Sequence, residues 1–371
     1  MWQLFLQLSD GYLAGMGLWL IVLALCPVLL IRLRRRWKDK PKRIKWVFIG
    51  LSVWMCLGLL TAVELGFALL YDTTDSFSMM NASRRWFRVH AGPDMKLLEF
   101  KNGTGIEYRD STEFPGLALP GDAQHVCLLG DSFTFGHGVA NVEDRFSNQL
   151  GKSLADSRQR IVVSNLSKPG TDLFWVESVL SNLFRDGHKV DSAVYVMCLN
   201  DVEAFHDPTM SESTRRAHFE PPTFLFRDTY FFNWAWFRWQ QVRQPEIRDY
   251  YGFVEDYYNG EPWQLFRRRL HEVDQLCREN DCRLTVAVFP FLHESAGERF
   301  APIRQKITAS CEEDGILAID LAAAFEGHQE EYLTVNAFDA HPNERAHKLV
   351  ADLLAEKIDL VMPPKPGESE K

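Results

Sequence analysis

The stretch Val126-Cys127-Leu128-Leu129-Gly130-Asp131-Ser132-Phe133-Thr134-Phe135-Gly136 decides how this chain is read. Its first four residues are apolar and β-compatible, so they read as a buried strand. A Gly, an acid and a Ser follow at once. That is where a parallel α/β sheet exposes a nucleophile. Near the C-terminus stands Asp339-Ala340-His341-Pro342. A Ser, an Asp and a His in that chain order are the parts of a hydrolytic triad.

Outward from this stretch the pattern alternates. Strand-like runs occupy His125–Leu129, Ile161–Leu166, Ala193–Cys198, Leu284–Phe289 and Ile316–Leu321. Helix-like runs occupy Val142–Leu154, Leu173–Phe184, Trp263–Arg278, Pro302–Glu312 and Glu344–Ile358. Short apolar strands alternating with amphipathic helices predict a parallel sheet covered on both faces. In such a sheet, ligands bind beyond the carboxyl ends of the strands. Gly130-Asp131-Ser132, Asn165 to Gly170, Asn200-Asp201 and Asp339 with His341 all follow strands, so chain direction alone puts them on one rim.

With these residues in place, the sequence resembles the SGNH (GDSL-type) hydrolase family over roughly 120–360. Gly130-Asp131-Ser132 matches its first block. Phe133-Thr134-Phe135-Gly136-His137-Gly138-Val139 looks like the continuation in its membrane-anchored bacterial members. Gly170 matches the second block, Asn200-Asp201 the third, and Asp339 with His341 the fifth. The resemblance implies a three-layer α/β/α domain with a five-stranded parallel sheet of flavodoxin-like type. It implies an esterase or acyltransferase working through an acyl-Ser132 intermediate without metal or organic cofactor. Ser132 would be the nucleophile, His341 the general base, and Asp339 the residue that orients it. The Ser132 and Gly170 N–H groups and the Asn200 amide would form the oxyanion hole. Asp131 and Asp201 would support the two turns. Cys198 stands where the third block often has Gly. Asp339 and His341 are two apart, where three is common. Taken singly, these motifs have plainer readings. Asn200-Asp201 suits a turn, Asp339-Ala340-His341 a helix start, and His137 and His347 a structural role.

The rest of the chain places the domain. Residues 11–31 carry no charge and 46–71 only Glu64, each enough to cross a hydrocarbon core that needs about 20 residues. Between them, residues 32–45 hold nine basic residues and one acid. A basic loop between two apolar spans is the signature of a cytoplasmic turn. The expectation is a two-helix anchor over 1–71 that puts everything after Tyr71 on the extracytoplasmic, periplasmic side. Glu64, toward the outer end of its span, reads as snorkelling or protonated. Residues 1–71 hold nine basic and three acidic residues, which leaves the remainder fifteen charges negative against −9 for the whole chain. Such an acidic domain is unsuited to phosphate backbones, so no nucleic-acid partner is expected. The expected partners are the lipid bilayer and an O-acylated carbohydrate or lipid ester.

Residues 72–120 read as a polar connector with a small β element around Asn102-Gly103. The hydrolase domain is expected over 121–362, and 363–371 as a disordered tail. Within the domain, 202–262 is a long aromatic insertion, from Phe231-Phe232-Asn233-Trp234 to Tyr257-Tyr258. It suits carbohydrate stacking, an acyl pocket or a membrane-lying helix, with core packing favoured for most of its rings. The sequons at Asn81, Asn102 and Asn165 matter only in a glycosylating host. Five cysteines in the outer domain do not make a disulfide framework, and whether Cys277 bridges Cys282 stays open. No His/Cys cluster has metal-ligand spacing. Two other readings stand beside the envelope esterase: a lysophospholipase-like enzyme, and a non-catalytic glycan-binding module.

Overall fold

Five apolar runs pair into one parallel sheet in the computed structural model, which describes residues 7–117, 119, 123–156, 160–206, 220–293 and 298–363. The strands are β3 (Gln124–Gly130), β4 (Ile161–Asn165), β5 (Ser192–Cys198), β6 (Arg283–Phe289) and β7 (Leu317–Asp320). They lie in the order β4-β3-β5-β6-β7 and every pair is parallel. Before them, β1 (Met95–Glu99) and β2 (Gly105–Arg109) form the antiparallel hairpin foreseen at Asn102-Gly103, where Gly103 takes φ 81°. All seven residues of β5, the central strand, are buried, as a sheet covered on both sides requires. Helices Phe146–Asp156 and Glu344–Glu356 pack together, as do Leu173–Asp186 and Glu261–Arg278. The chain reverses direction across the sheet after β4. Right-handed crossovers then put these two pairs on opposite faces, giving three layers.

Local chemistry moves several boundaries. The helix expected over Val142–Leu154 is broken at Arg145, which is extended and buried. Its guanidinium donates to the Phe135 carbonyl (3.2 Å) and to Asn148 Oδ1. A 3-10 turn, Val142–Asp144, precedes the break and the helix resumes at Phe146. The last strand stops at Asp320 rather than Leu321, because the Asp320 side chain accepts from Ala322 N–H and starts a 3-10 turn. Two short strands escaped the sequence reading. They are β8 (Thr334–Asn336) and β9 (Asp339–Pro342), an antiparallel hairpin with only Ala337 and Phe338 in its turn. All seven cysteines are free thiols, Cys277 and Cys282 included.

The chain divides into two compact units. One holds residues 74–76, 90–215 and 245–371, and contains all nine strands found among the described residues. The other comprises residues 1–73, 77–89 and 216–244. The insertion therefore contributes helix Phe231–Arg243 to one unit and helix Tyr250–Asn259 to the other; its residues 207–219 lie outside the described residues, as does the expected tail beyond Pro363.

The non-sheet unit is built on two long helices, Asp10–Trp37 and Pro41–Leu70, each long and apolar enough to cross a membrane. The basic loop expected over 32–45 is mostly helix, leaving only Lys38–Lys40 between the two. Arg and Lys are good helix formers and suit a helix C-terminus, while Pro41 starts the next helix at its first turn. Glu64 neither snorkels nor stands alone. It is 1% exposed and accepts from the Tyr12 hydroxyl (3.0 Å) and from the N–H groups of Tyr230 (2.7 Å) and Phe231 (2.8 Å). It thus caps helix Phe231–Arg243, satisfying donors that the helix cannot satisfy itself. Arg85 does the converse, donating to the carbonyls of Phe67, Ala68 and Tyr71 at the end of the second apolar helix.

Candidate active site

The turn after β3 is built so that a serine must stand at the sheet's carboxyl rim. A Cβ at Gly130 would lie 2.6 Å from the Val196 carbonyl oxygen, so only glycine lets β3 approach β5 there. The Asp131 carboxylate accepts from Phe133 N–H (2.9 Å) and caps the one-turn helix Ser132–Phe135. Gly136, at φ 78°, ends that helix after four residues. The following loop is held by buried cations: Arg109 donates to the carbonyls of Val139 (2.8 Å) and Ala140 (2.9 Å).

The hairpin β8–β9 brings the distant acid and base to this turn. His341 Nε2 lies 2.8 Å from Ser132 Oγ, and His341 Nδ1 lies 2.5 Å from Asp339 Oδ1. The network assigns the Nδ1 proton toward Asp339, leaving Nε2 to accept from the Ser132 hydroxyl. Asp339 is fully buried and also accepts from the His341 backbone N–H (3.1 Å). Burial alone would raise its pKa; the charges and hydrogen bonds of His341 and His137 outweigh that and hold the carboxyl well below its usual range. Asp339-Ala340-His341 is thus a strand rather than a helix start, and Asn343 caps the helix that follows.

The second and third motifs flank the serine. Asn165 Nδ2 donates to the Thr134 carbonyl (2.8 Å), tying the end of β4 to the helix Ser132–Phe135. Being buried, Asn165 is no glycan acceptor. Lys168 N–H and the Thr171 hydroxyl both donate to the Gly130 carbonyl. They fix the loop that carries Gly170, which is exposed and takes φ 73°, where a side chain would be strained. Asn200 and Asp201 divide their work. Asp201 Oδ2 accepts from the Tyr195 hydroxyl (2.5 Å) and Cys198 N–H (3.2 Å), and so makes the turn. The Asn200 side chain makes no capping bond, and its Oδ1 is buried without a partner among the described residues. Asn200 thus sits in the turn, where its carbonyl accepts from Glu203 N–H (2.9 Å), but its side chain does not hold that turn. Burial raises the Asp131 pKa to about 6, and burial with the neighbouring Asp131 charge raises that of Asp201.

His347 is structural: it accepts from Phe146 N–H, and burial pushes its pKa down to about 3. His137 is buried as well, but against Asp339 and His341. Its ring stacks on His341 with centroids 4.0 Å apart, and its Nε2 lies 3.4 Å from Asp339 Oδ2. Burial, then the facing His341, lowers its pKa and favours the neutral ring. By distance alone His137, Asp339 and His341 could share a cation, since one ligand atom from each lies within 4.8 Å of the others. In this structure, however, Asp339 and His341 are bonded to each other and His341 to Ser132. One more residue at Asp339 had no sequence signal: the Thr74 hydroxyl, which donates to Oδ2 across 265 positions of chain. Its neighbours spell no motif.

A family model described as "GDSL-like Lipase/Acylhydrolase family" matches residues 128–349. No curated protein sequence matches. Similar solved structures include TesA, at 14% identity and TM-score 0.41, covering 64% of this chain and 100% of that one. A psychrotrophic esterase from Pseudoalteromonas sp., in a structure inhibited by monoethylphosphonate, is 13% identical at TM-score 0.40, over 64% of this chain and 97% of the other. A catalytic mutant of an acetylxylan esterase from Geobacillus stearothermophilus is 14% identical at TM-score 0.40, over 66% and 98%.

Proposed function

Because this chain belongs to the GDSL-like lipase/acylhydrolase family and is an ester-bond hydrolase, we propose that Ser132, His341 and Asp339 are its reacting triad. The observation that carries this is the continuous chain of contacts from Ser132 Oγ through both His341 nitrogens to Asp339. A serine hydroxyl is a weak nucleophile until a neighbouring base removes its proton. His341 Nε2 takes that proton as Ser132 Oγ bonds to the ester carbonyl carbon. The charge that develops on the carbonyl oxygen is met by the N–H groups of Ser132 and Gly170 and by the Asn200 amide. His341 then gives the proton to the leaving alcohol, and an acyl-Ser132 ester remains. Water, or a sugar hydroxyl in the transferase version, repeats the sequence in reverse. Asp339 stays ionised and stabilises the imidazolium.

The substrate we propose is an O-acylated polysaccharide of the cell envelope, reached from the extracytoplasmic side of a membrane. What supports this placement is the pair of apolar helices with basic residues at their junction. The deciding experiment is fluorophosphonate labelling of membranes that carry the full chain. The wild type should label and Ser132→Ala should not, with an unchanged melting temperature. A folded wild type that resists the probe would overturn the enzymatic assignment of Ser132 in favour of a binding module.

A further inference from the structure

Four residues after the second apolar helix ends at Leu70, the chain enters the unit that carries the triad. Residues Thr74–Ser76 run against the β8–β9 hairpin. Asn336 Nδ2 donates to the Thr74 carbonyl (2.9 Å), Ser76 N–H donates to the Phe338 carbonyl (3.2 Å), and Ala340 N–H donates to Ser76 Oγ (3.0 Å). These bonds bracket Asp339 on both sides. Thr74 itself is fully buried, and its hydroxyl donates to Asp339 Oδ2. Room for it comes from Gly138, at φ 86°, where a Cβ would lie 2.9 Å from Thr74 Oγ1.

A carboxylate turns easily about its last torsion, which has broad wells. Both oxygens must be held if one is to keep facing a partner. Here Oδ1 accepts from two His341 donors, Nδ1–H and the backbone N–H. Oδ2 accepts from Thr74 and faces His137 Nε2. We propose that Thr74 is a positioning residue for the ester-bond reaction. Its hydroxyl fixes the rotation of Asp339, and through Asp339 the aim of His341 at Ser132. The strap Thr74–Ser76, which adjoins the apolar helix in sequence, is then part of the catalytic apparatus. This rests on the triad assigned above.

The test uses the full chain in detergent, with 4-nitrophenyl acetate as substrate. Thr74→Val keeps the shape and removes the donor. It should lower kcat by about 10- to 100-fold, the loss expected for one hydrogen bond to a charged group, while KM stays nearly constant. Thr74→Ser should restore most of the rate. A second readout is the far-downfield resonance of the His341 Nδ1 proton. It should shift or broaden in Thr74→Val and return in Thr74→Ser. Should Thr74→Val not fold, Thr74→Ala reads the same effects. A folded Thr74→Val with wild-type kcat and an unmoved resonance overturns the proposal, as do Val and Ser variants that are equally impaired. If the wild type shows neither turnover nor fluorophosphonate labelling, it is the triad assignment that falls, and the resonance alone then decides the role of Thr74.

Discussion

Asn200 and Asp201 are adjacent, yet their substitution should produce opposite signatures. The Asn200 side chain makes no capping hydrogen bond, so Asn200→Ala breaks no bond that holds the turn. Its folding cost should stay below about 1 kcal/mol. If its amide serves the oxyanion, turnover should nevertheless fall by roughly 10²–10³, about 2.7–4 kcal/mol of transition-state stabilisation. KM should change little, because the donor is used mainly as charge develops on the carbonyl oxygen. Asp201→Ala strands the Tyr195 hydroxyl and Cys198 N–H in the interior. Each buried group left unpaired costs about 1–3 kcal/mol, so this variant should lose melting temperature first. The assay is steady-state hydrolysis of 4-nitrophenyl acetate beside a thermal melt of each full-length variant. The sharpest variant is Asn200→Asp, which keeps the shape and replaces the donor with an acceptor beside two buried acids. A fully active Asn200→Asp enzyme would refute the oxyanion role. So would an Asn200→Ala variant whose lost activity merely tracks lost stability.

Two further outcomes are expected. Asp131 has its pKa raised by burial from 3.8 to about 6. The unfolded chain therefore releases this proton first, and the group's contribution to stability falls as pH rises from about 4 through 6, by about 3 kcal/mol for some two units. Asp131→Asn keeps an acceptor for Phe133 N–H and cannot ionise, so in urea melts its stability should fall less steeply over this range than the wild type's, the buried Asp201 still contributing; a variant with the same pH slope as the wild type would rule the effect out. A periplasmic phosphatase fused after Lys371 should be active and a cytoplasm-dependent reporter dark, and the reverse pattern would remove the envelope substrate.

Much of this molecule was legible in sequence because the signals are local. A strand buried on both faces must be apolar along its length, so each of the five sheet strands could be read within a residue or two. A serine presented at a strand's end needs a small residue before it and a helix cap beside it, and Gly130 and Asp131 supply both next to Ser132. Two apolar runs about a basic turn announce helices of membrane-crossing length. What sequence left undecided depends on partners far apart in the chain. A buried polar group must find a partner wherever the fold brings one. Glu64 finds its partners at Tyr230 and Phe231, 166 and 167 positions away. His137 meets His341 and Asp339 only because the β8–β9 hairpin carries them onto it. Whether Asn200 or Asp201 makes the turn depended on which side chain reached Tyr195. Thr74 had nothing nearby to mark it, and only the packing of its segment beside β9 set its hydroxyl against Asp339.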